Sequence, residues 1–127
     1  KDVNRAVYQQ AAIRRTPVNV ADDPVLCSFT LPSLVQRGEL TIAVSTGGAS
    51  PAVARRLRER LESEFGDEWG VYLALMASLR DRAMREIHDP ARRRALFAKL
   101  ADSPLFDKVA VGDDDGAAAL VEELFAS

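Results

Sequence analysis

The sequence predicts an α/β protein: half of a βαβ unit at the start, a β-hairpin in the middle, and helices from residue 51 to the end. Three observations lead to this prediction. A helical apolar pattern runs directly into the β-branched run Pro17–Val20, two short alternating runs flank a turn at Gly38, and after Pro51 apolar residues recur at helical spacing. With 127 residues and 47% hydrophobic content, the chain is large enough to bury a core.

Composition excludes several classes of function. The net charge of −2 does not favour nucleic-acid binding, and no apolar run is long enough to span a bilayer or to act as a signal segment. Cys27 and His88 are the single cysteine and histidine, which excludes an intrachain disulfide and makes a preformed protein metal site improbable. The expected location is the cytoplasm, and Cys27 is expected to be a small buried hydrophobe.

The first fifteen residues predict a helix that ends before a strand. Asp2 is a plausible N-cap and Thr16-Pro17 ends the helix. Its buried stripe is predicted to contain Val3, Ala6, Val7 and Ala11. A helix followed at once by a buried strand implies a preceding parallel strand, which this sequence lacks. We therefore expect the chain to be a piece of a longer protein.

The strand after this helix ends in two carboxylates, Asp22 and Asp23. Open α/β sheets bind ligands at the carboxyl ends of their strands. A partly desolvated carboxylate beside a like charge holds its proton more tightly, so Asp22 could act as a general acid or base. Asp23, before Pro24, is expected to cap the turn. Asn19 could orient a substrate or bond the neighbouring loop, and both alternatives stay open.

The middle of the chain predicts a hairpin with strands at Phe29–Leu31 and Leu40–Val44, joined through Gly38. Pro32 has no backbone N–H and therefore places the first strand at an edge or a bulge. Exposed edges are often covered by a partner chain. We expect a dimer formed through Ser28–Ser45.

Residues 45–51, Ser-Thr-Gly-Gly-Ala-Ser-Pro, predict a strand-to-helix turn that could bind an anion. Ser50 can cap the helix, Pro51 suits its first position, and Gly47 and Gly48 let the backbone approach a ligand. Serine nucleophile chemistry is not favoured, because no histidine is near and no Gly-x-Ser-x-Gly elbow is present. A phosphate-binding module is an alternative that lacks the lysine of a phosphate loop.

The remainder predicts helices separated at Gly66-Asp67, Asp89-Pro90, Ser103-Pro104 and 112–116, with a last helix from Gly116 to Ser127. The expected core positions are Val53, Ala54, Leu57, Leu61, Tyr72, Leu73, Met76, Leu79, Ala95, Leu96 and Leu100. Most arginines in the 55–60 and 92–94 clusters are expected on solvated faces, with Arg55 or Arg56 the choice for meeting a polyanion. His88 ends a helix, where a histidine is favoured by the helix dipole without any catalytic role.

Several of these motifs together resemble the siroheme synthase family, the precorrin-2 dehydrogenases. The matching stretches are Asn19–Pro24, Cys27–Phe29 with Leu31–Ser33, Ala43–Pro51, and the helix containing Ala54-Arg55, Leu57-Arg58 and Leu61-Glu62. The similarity extends over nearly the whole chain.

The resemblance implies a homodimeric, NAD-dependent enzyme that oxidises precorrin-2 to sirohydrochlorin. Some members then insert ferrous iron as a substrate, giving siroheme, and in some a methyltransferase domain follows. The family's catalytic aspartate maps onto Asp22. Its hydroxyl-Gly-Gly turn, which borders the tetrapyrrole cleft, maps onto Ser45, Thr46, Gly47 and Gly48; many relatives carry serine where this chain has Thr46. Together with Asn19 and Arg55, these are the expected substrate-binding residues.

The resemblance also divides the chain. Residues 1–24 would be the C-terminal remnant of a Rossmann-type NAD-binding domain, 25–50 a β-hairpin dimerisation and active-site region, and 51–127 a helical domain. The glycine-rich motif that holds the dinucleotide is absent, so no NAD-binding residue is assigned. An alternative function is a non-catalytic dimerisation and tetrapyrrole-binding platform that needs the missing NAD-binding half.

Overall fold

A computed structural model of the chain describes residues 2–20 and 23–127. Two strands and six α-helices are present in this part: α1 (Asp2–Ile13), β1 (Ser33–Arg37), β2 (Leu40–Val44), α2 (Pro51–Glu64), α3 (Glu68–Glu86), α4 (Pro90–Asp102), α5 (Leu105–Ala110) and α6 (Asp114–Ala126), with a short 3₁₀ helix at Pro24–Leu26. The strands form a two-stranded antiparallel hairpin. The predicted α/β class is confirmed.

The chain divides into two compact units. The first, the cleft unit, comprises residues 1–35 and 42–61, and the second, the helical unit, comprises residues 36–41 and 62–127. The body of the hairpin and α2 as far as Leu61 belong to the cleft unit. The tip of the hairpin belongs to the helical unit with α3 to α6.

The hairpin forms around Gly38, as predicted, but its first strand begins later than predicted. Gly38 has φ 56° and is the first residue of a two-residue turn, the position that favours glycine in a type II′ turn. Val35 points inward and is 1% exposed. The prediction of a strand at Phe29–Leu31 was wrong. Pro32 cannot donate to a strand ladder, so pairing starts after it, at Ser33.

Residues 17–20 do not form the predicted strand. Val20 is buried and Val18 half-buried, so the inward alternation of a strand is kept without a strand partner in the described residues. The Val18 amide donates to a side chain, Ser28 Oγ, at 2.7 Å, and the Ser28 amide donates to the Val18 backbone carbonyl at 2.8 Å. The segment is thereby fixed to residues 27–29.

Helices α1 and α2 expose apolar side chains that periodicity had placed inside. Val3 and Val7 of α1 are exposed, whereas Asn4, Tyr8 and Ala11 are half-buried. In α2 only Ala54 is buried, while Val53 and Leu57 are exposed and Leu61 is half-buried. Both helices are amphipathic, and most of their apolar stripes stay exposed to solvent in the part of the chain that the structure describes.

The helical unit has the chain's main hydrophobic core. It is formed by Tyr72, Leu79, Ala83, Leu96, Leu100, Leu105, Ala117 and Val121. Trp69 packs against the Phe106 ring with centroids 4.3 Å apart. The predicted core residues of α3 are confirmed, with Leu73 and Met76 packed partly buried against this core. Ala95, predicted to be buried, is exposed.

The helix boundaries of this unit follow capping residues. The Asp89 side chain accepts from the Ala91 amide and Pro90 is the first helical residue of α4, as predicted. Asp113 accepts from the Gly116 amide, so α6 begins at Asp114, ahead of the predicted start. Helix α5 lies between the predicted breaks at Ser103-Pro104 and 112–116 and buries Leu105 completely. In the described residues, no helix combines the length and the apolar content needed to cross a bilayer.

Candidate functional site

An open cleft of about 350 Å³ lies within the cleft unit. Its walls come from the segment before the 3₁₀ helix, from the approach to β1, and from the end of β2 with the turn into α2. The lining residues are Asn19, Val20, Asp23, Pro24, Cys27, Thr30, Leu31, Ser33, Val44, Ser45, Thr46, Gly48, Pro51 and Ala54. The structure therefore brings Asn19, Ser45, Thr46 and Gly48 together, as expected for a single site.

The turn between β2 and α2 is held by Thr46 and Ser50. Thr46 Oγ1 donates to the Ser50 carbonyl at 3.1 Å and accepts from the Ser50 amide at 3.1 Å. Ser50 Oγ accepts from the Val53 amide at 3.3 Å, so Ser50 caps α2 as predicted. Because a hydroxyl has one hydrogen, Thr46 has no proton left to donate to a ligand in this arrangement.

Ser45 differs from Thr46 in its bonding. Ser45 Oγ accepts from the Gly47 amide at 3.2 Å, which leaves its own hydrogen free for a ligand. Gly47 and Gly48 have φ of 60° and 85°, conformations that glycine adopts without strain. Gly48 lines the cleft; Gly47 is not among the lining residues.

The Asn19 amide has a bonded end and a free end. Its Nδ2 donates to the Phe29 carbonyl at 3.0 Å, which favours the structural alternative for that half of the group. For Asn19 Oδ1, the described residues provide no hydrogen-bond donor, so a substrate donor can reach it. The structural alternative is thus shown for Nδ2, and substrate orientation through Oδ1 stays a prediction.

Asp23 is a lining residue of the cleft, and the expectation that it would cap a turn was wrong. The residue is half-buried and precedes the 3₁₀ helix, but its side chain accepts no capping hydrogen bond from the described backbone. Asp22, the expected catalytic residue, lies outside the described residues, as does Ala21. Sequence reasoning missed Asp23 as a cleft group, although its place beside Asp22 was a usable signal.

Cys27 is a hydrogen-bonding residue as well as a packing residue. It is half-buried, and its Sγ accepts from the Val20 amide at 3.1 Å and lies 3.3 Å from the Val20 carbonyl and 3.4 Å from the Asp23 carbonyl. The thiol can donate its single hydrogen to either carbonyl. It therefore ties the residues on both sides of positions 21 and 22 to the start of the next segment.

Arg55 is not in the cleft lining. Its Nε donates to Glu59 Oε1 at 2.9 Å, one turn along α2, and this hydrogen bond lowers the pKa of the Glu59 carboxyl. Arg56 is exposed on the same helix. His88 is exposed and follows the end of α3 in the helical unit.

The cleft offers a hydroxyl donor, an amide acceptor and a carboxylate beside apolar walls from Val20, Leu31, Val44, Pro51 and Ala54. Such a surface can bind an apolar ligand with polar substituents. Among residues 2–20 and 23–127, no cluster of three or more histidine, cysteine or acidic side chains could hold a metal ion.

The described residues do not fit NAD. A dinucleotide site needs a glycine-rich turn at a helix N-terminus on a parallel sheet. Helix α1 carries Asp2 in its first turn, the chain has no glycine before Gly38, and the sheet of the described residues is an antiparallel hairpin. A pyrophosphate would meet like charge at the start of α1.

Three family models match the chain in sequence order. Residues 1–33 match an NAD(P)-binding family, residues 37–64 match the sirohaem biosynthesis protein central family, and residues 68–125 match the sirohaem synthase dimerisation region. The matched dimerisation region is thus in the helical part, whereas the sequence analysis expected dimer contacts at the hairpin.

Curated relatives match over nearly the whole chain. The siroheme synthase of Nitrosospira multiformis is 40% identical over 120 residues, covering 94% of this chain and 25% of the relative. That of Thiobacillus denitrificans is 42% identical over 118 residues, covering 93% and 24%. The chain spans about a quarter of the length of these relatives.

A solved structure described as "SirC, precorrin-2 dehydrogenase" has a TM-score of 0.63 to this chain at 23% identity, covering 76% of this chain and 47% of that one. This likeness shows a shared fold. The ordered family matches and the relatives at 40% and 42% identity fit a segment of the siroheme synthase family.

Proposed function

We propose that the chain provides the tetrapyrrole-binding cleft of an NAD-dependent enzyme that oxidises precorrin-2 to sirohydrochlorin in siroheme biosynthesis. The observation that carries the proposal is the convergence of Asn19, Asp23 and Ser45 on one cleft with apolar walls. A tetrapyrrole has an apolar macrocycle with carboxylate substituents, which matches apolar walls and a hydroxyl donor.

Oxidation of precorrin-2 removes a hydride and a proton from the substrate. NAD would take the hydride, and because these residues do not fit the dinucleotide, the proposal places no part of NAD on them. The proposed task of this chain is to accept the proton, and Asp22 is proposed as the acceptor. The neighbouring negative charge of Asp23, at the cleft wall, would favour protonation of Asp22. Ser45 would donate to a substrate carboxylate, and Asn19 Oδ1 would accept from a pyrrole N–H.

Insertion of ferrous iron into sirohydrochlorin is proposed for the same cleft. The described residues carry no cluster of metal ligands, so the four pyrrole nitrogens would coordinate the incoming iron. A carboxylate would take the protons that those nitrogens release. Asp22 is proposed for this task as well, because both reactions need a base.

We infer that the active form is a homodimer. The match of residues 68–125 to a dimerisation region supports this inference, as does the exposure of Leu31, Leu34, Val53 and Leu57 in the cleft unit. Leu34→Glu should weaken self-association in sedimentation equilibrium, whereas Gln36→Glu, on the same face of β1, should not. Equal monomer content in both variants would contradict a hairpin contribution.

The first experiment measures binding of sirohydrochlorin to the 127-residue chain from the change in its absorbance. Ser45→Ala should weaken binding by about tenfold, the effect of one charge-assisted hydrogen bond. Ser78→Ala, which removes a hydroxyl bonded to Leu75 in the helical unit, is the matched control and should leave binding unchanged. Absence of binding, or equal loss in both variants, would contradict the proposed site.

The second experiment tests turnover. This chain would replace the corresponding quarter of the Nitrosospira siroheme synthase, and sirohydrochlorin formation from precorrin-2 and NAD would be followed by absorbance. Activity that Asp22→Asn abolishes while sirohydrochlorin still binds supports the dehydrogenase proposal. A folded, dimeric chimera that binds the tetrapyrrole without oxidising it supports instead the alternative of a non-catalytic platform.

A further inference from the structure

A second surface feature, which we call the arginine groove, lies in the helical unit between α3 and α4. It has a volume of about 430 Å³ and is lined by Arg80, Met84, Pro90, Arg93, Arg94 and Phe97. Three of its six lining residues are cationic, none is acidic, and the other three are apolar. The groove contains no residue of the cleft described above.

The three guanidinium groups differ in how they are held. Arg93 Nη1 donates to the Ile87 carbonyl at 2.6 Å and to the His88 carbonyl at 3.1 Å, which fixes this side chain against the end of α3. Arg80 and Arg94 are exposed and have neither an ion pair nor a hydrogen bond to any residue in 2–20 or 23–127. Two cations are therefore free beside one that is already positioned.

The local electrostatics of α4 oppose this arrangement. Helix N-termini favour acidic side chains in the first turn, yet α4 has none there and places Arg93 and Arg94 one turn from its start. Asp89 offsets part of the charge by capping the Ala91 amide. Arg93 is compensated by the carbonyls at the end of α3, but Arg94 has no compensating contact among the described residues, and such departures from local rules are expected at functional sites. An anion in the groove would supply the missing compensation.

We propose that the arginine groove binds a small organic polyanion, with at least two carboxylate or phosphate groups on an apolar body. Guanidinium groups form bidentate, charge-assisted hydrogen bonds with either acid. Met84, which is 56% exposed, and Phe97 provide an apolar surface for the body of the ligand. The volume of the groove is in the range of small-molecule sites.

A second copy of the chain fits the groove less well than a small anion. In a twofold-symmetric dimer, a patch on the axis faces its own copy. Here that would oppose three arginines with three arginines, a contact between like charges. A dimer contact centred on this groove is therefore not favoured, and the experiment includes a copy of the chain as an outcome because residues 68–125 match a dimerisation region.

The test is isothermal titration calorimetry of the 127-residue chain with two probes: benzene-1,3,5-tricarboxylate for carboxylates and ATP for phosphates. Saturable binding of at least one probe is expected, weakened about tenfold or more in Arg80→Gln/Arg94→Gln, since each lost contact is a charge-assisted hydrogen bond. Arg85→Gln is the matched control: it removes one exposed charge from α3 outside the groove and should change affinity less than about twofold.

Four results would overturn the proposal. The first is no saturable binding of either probe up to about 10 mM, which corresponds to less than ~3 kcal/mol of binding free energy. The second is an equal loss of affinity in the control, which would indicate a bulk charge effect. The third is a loss of affinity in Ser45→Ala, which would place the probes in the cleft. The fourth is a shift of the monomer–dimer equilibrium in the double variant without probe binding, which would make the groove a contact between copies of the chain.

Discussion

Replacing Gly70 with alanine tests how tightly the hairpin tip is packed on α3. Gly70 lies in the first turns of α3, where alanine is intrinsically favoured over glycine by about 1 kcal/mol. An alanine Cβ, however, would lie 3.2 Å from the Arg37 carbonyl carbon and 3.3 Å from both the Arg37 oxygen and the Gly38 nitrogen. These are backbone atoms of a two-residue turn, which has little freedom to move.

Helix propensity and crowding have opposite effects on the free energy of unfolding, and their relative sizes decide whether Gly70→Ala stabilises or destabilises the protein. Overpacking against a rigid neighbour costs about 1–3 kcal/mol, so Gly70→Ala should lower the free energy of unfolding by up to about 2 kcal/mol despite the better helix propensity. The tip is also held by Arg37, whose Nη2 donates to the Glu62 carbonyl at 3.1 Å and whose Nε lies 3.3 Å from Asp67 Oδ1. This anchoring keeps the turn from withdrawing.

The assay is urea unfolding followed by fluorescence of Trp69, the single tryptophan, which adjoins Gly70 in the helical unit. Ala74→Gly, at an exposed position of the same helix, is the control and should lower stability by about 1 kcal/mol through propensity alone. If Gly70→Ala instead raised the unfolding midpoint by the full propensity gain, the close approach of Gly38 and Gly70 would not constrain the fold and the reasoning would be refuted.

Three further predictions concern single side chains. Leu100 is fully buried in the helical core, so Leu100→Ala should lower the free energy of unfolding by about 2–5 kcal/mol in the same urea assay. An effect below about 1 kcal/mol would contradict the burial of Leu100. Hydrogen bonding to Arg82 lowers the pKa of Glu122 from 4.5, so the contribution of this carboxylate to stability is present above about pH 4.5 and is lost as the pH falls through the lowered pKa. Glu122→Gln should therefore flatten the decline of the urea midpoint in that acid window. An unchanged pH profile would contradict this. Cys27→Ala should speed hydrogen exchange of the Val20 amide, measured by NMR, by about tenfold or more, because this amide loses its acceptor. Cys27→Ser should largely preserve the protection of the amide. Identical exchange rates in the two variants would exclude the thiol as the acceptor.

Helix boundaries were predictable from the sequence because the signals that set them are local. Asp89-Pro90 starts α4, Ser50-Pro51 starts α2, and Gly38 sets the hairpin turn. Each depends on a capping side chain, a fixed proline φ or a positive glycine φ, all of which act within a few residues. The core residues of α3 were predictable for a related reason, because the apolar face that their spacing defines packs against other helices of the same unit.

Predictions that depended on distant partners were less successful. The segment 17–20 has strand-like alternation but bonds to Ser28 and Cys27 side chains, because the described residues provide no neighbouring strand. Val7 and Leu57 belong to apolar stripes that the chain leaves exposed. Periodicity identifies which face of a helix is apolar, but what covers that face is determined by residues or chains far away in sequence.

The candidate site shows the same limit at the level of single atoms. From the sequence, Ser45 and Thr46 were assigned one role, as adjacent hydroxyls on a glycine turn. The structure separates them, since the Thr46 hydrogen is used by the Ser50 carbonyl, while Ser45 only accepts, from Gly47. Thr46 therefore shapes the turn, and Ser45 is available to a ligand. Thr46→Ser should preserve both turn bonds, whereas Thr46→Val should disturb the turn and weaken tetrapyrrole binding indirectly through the position of Ser45.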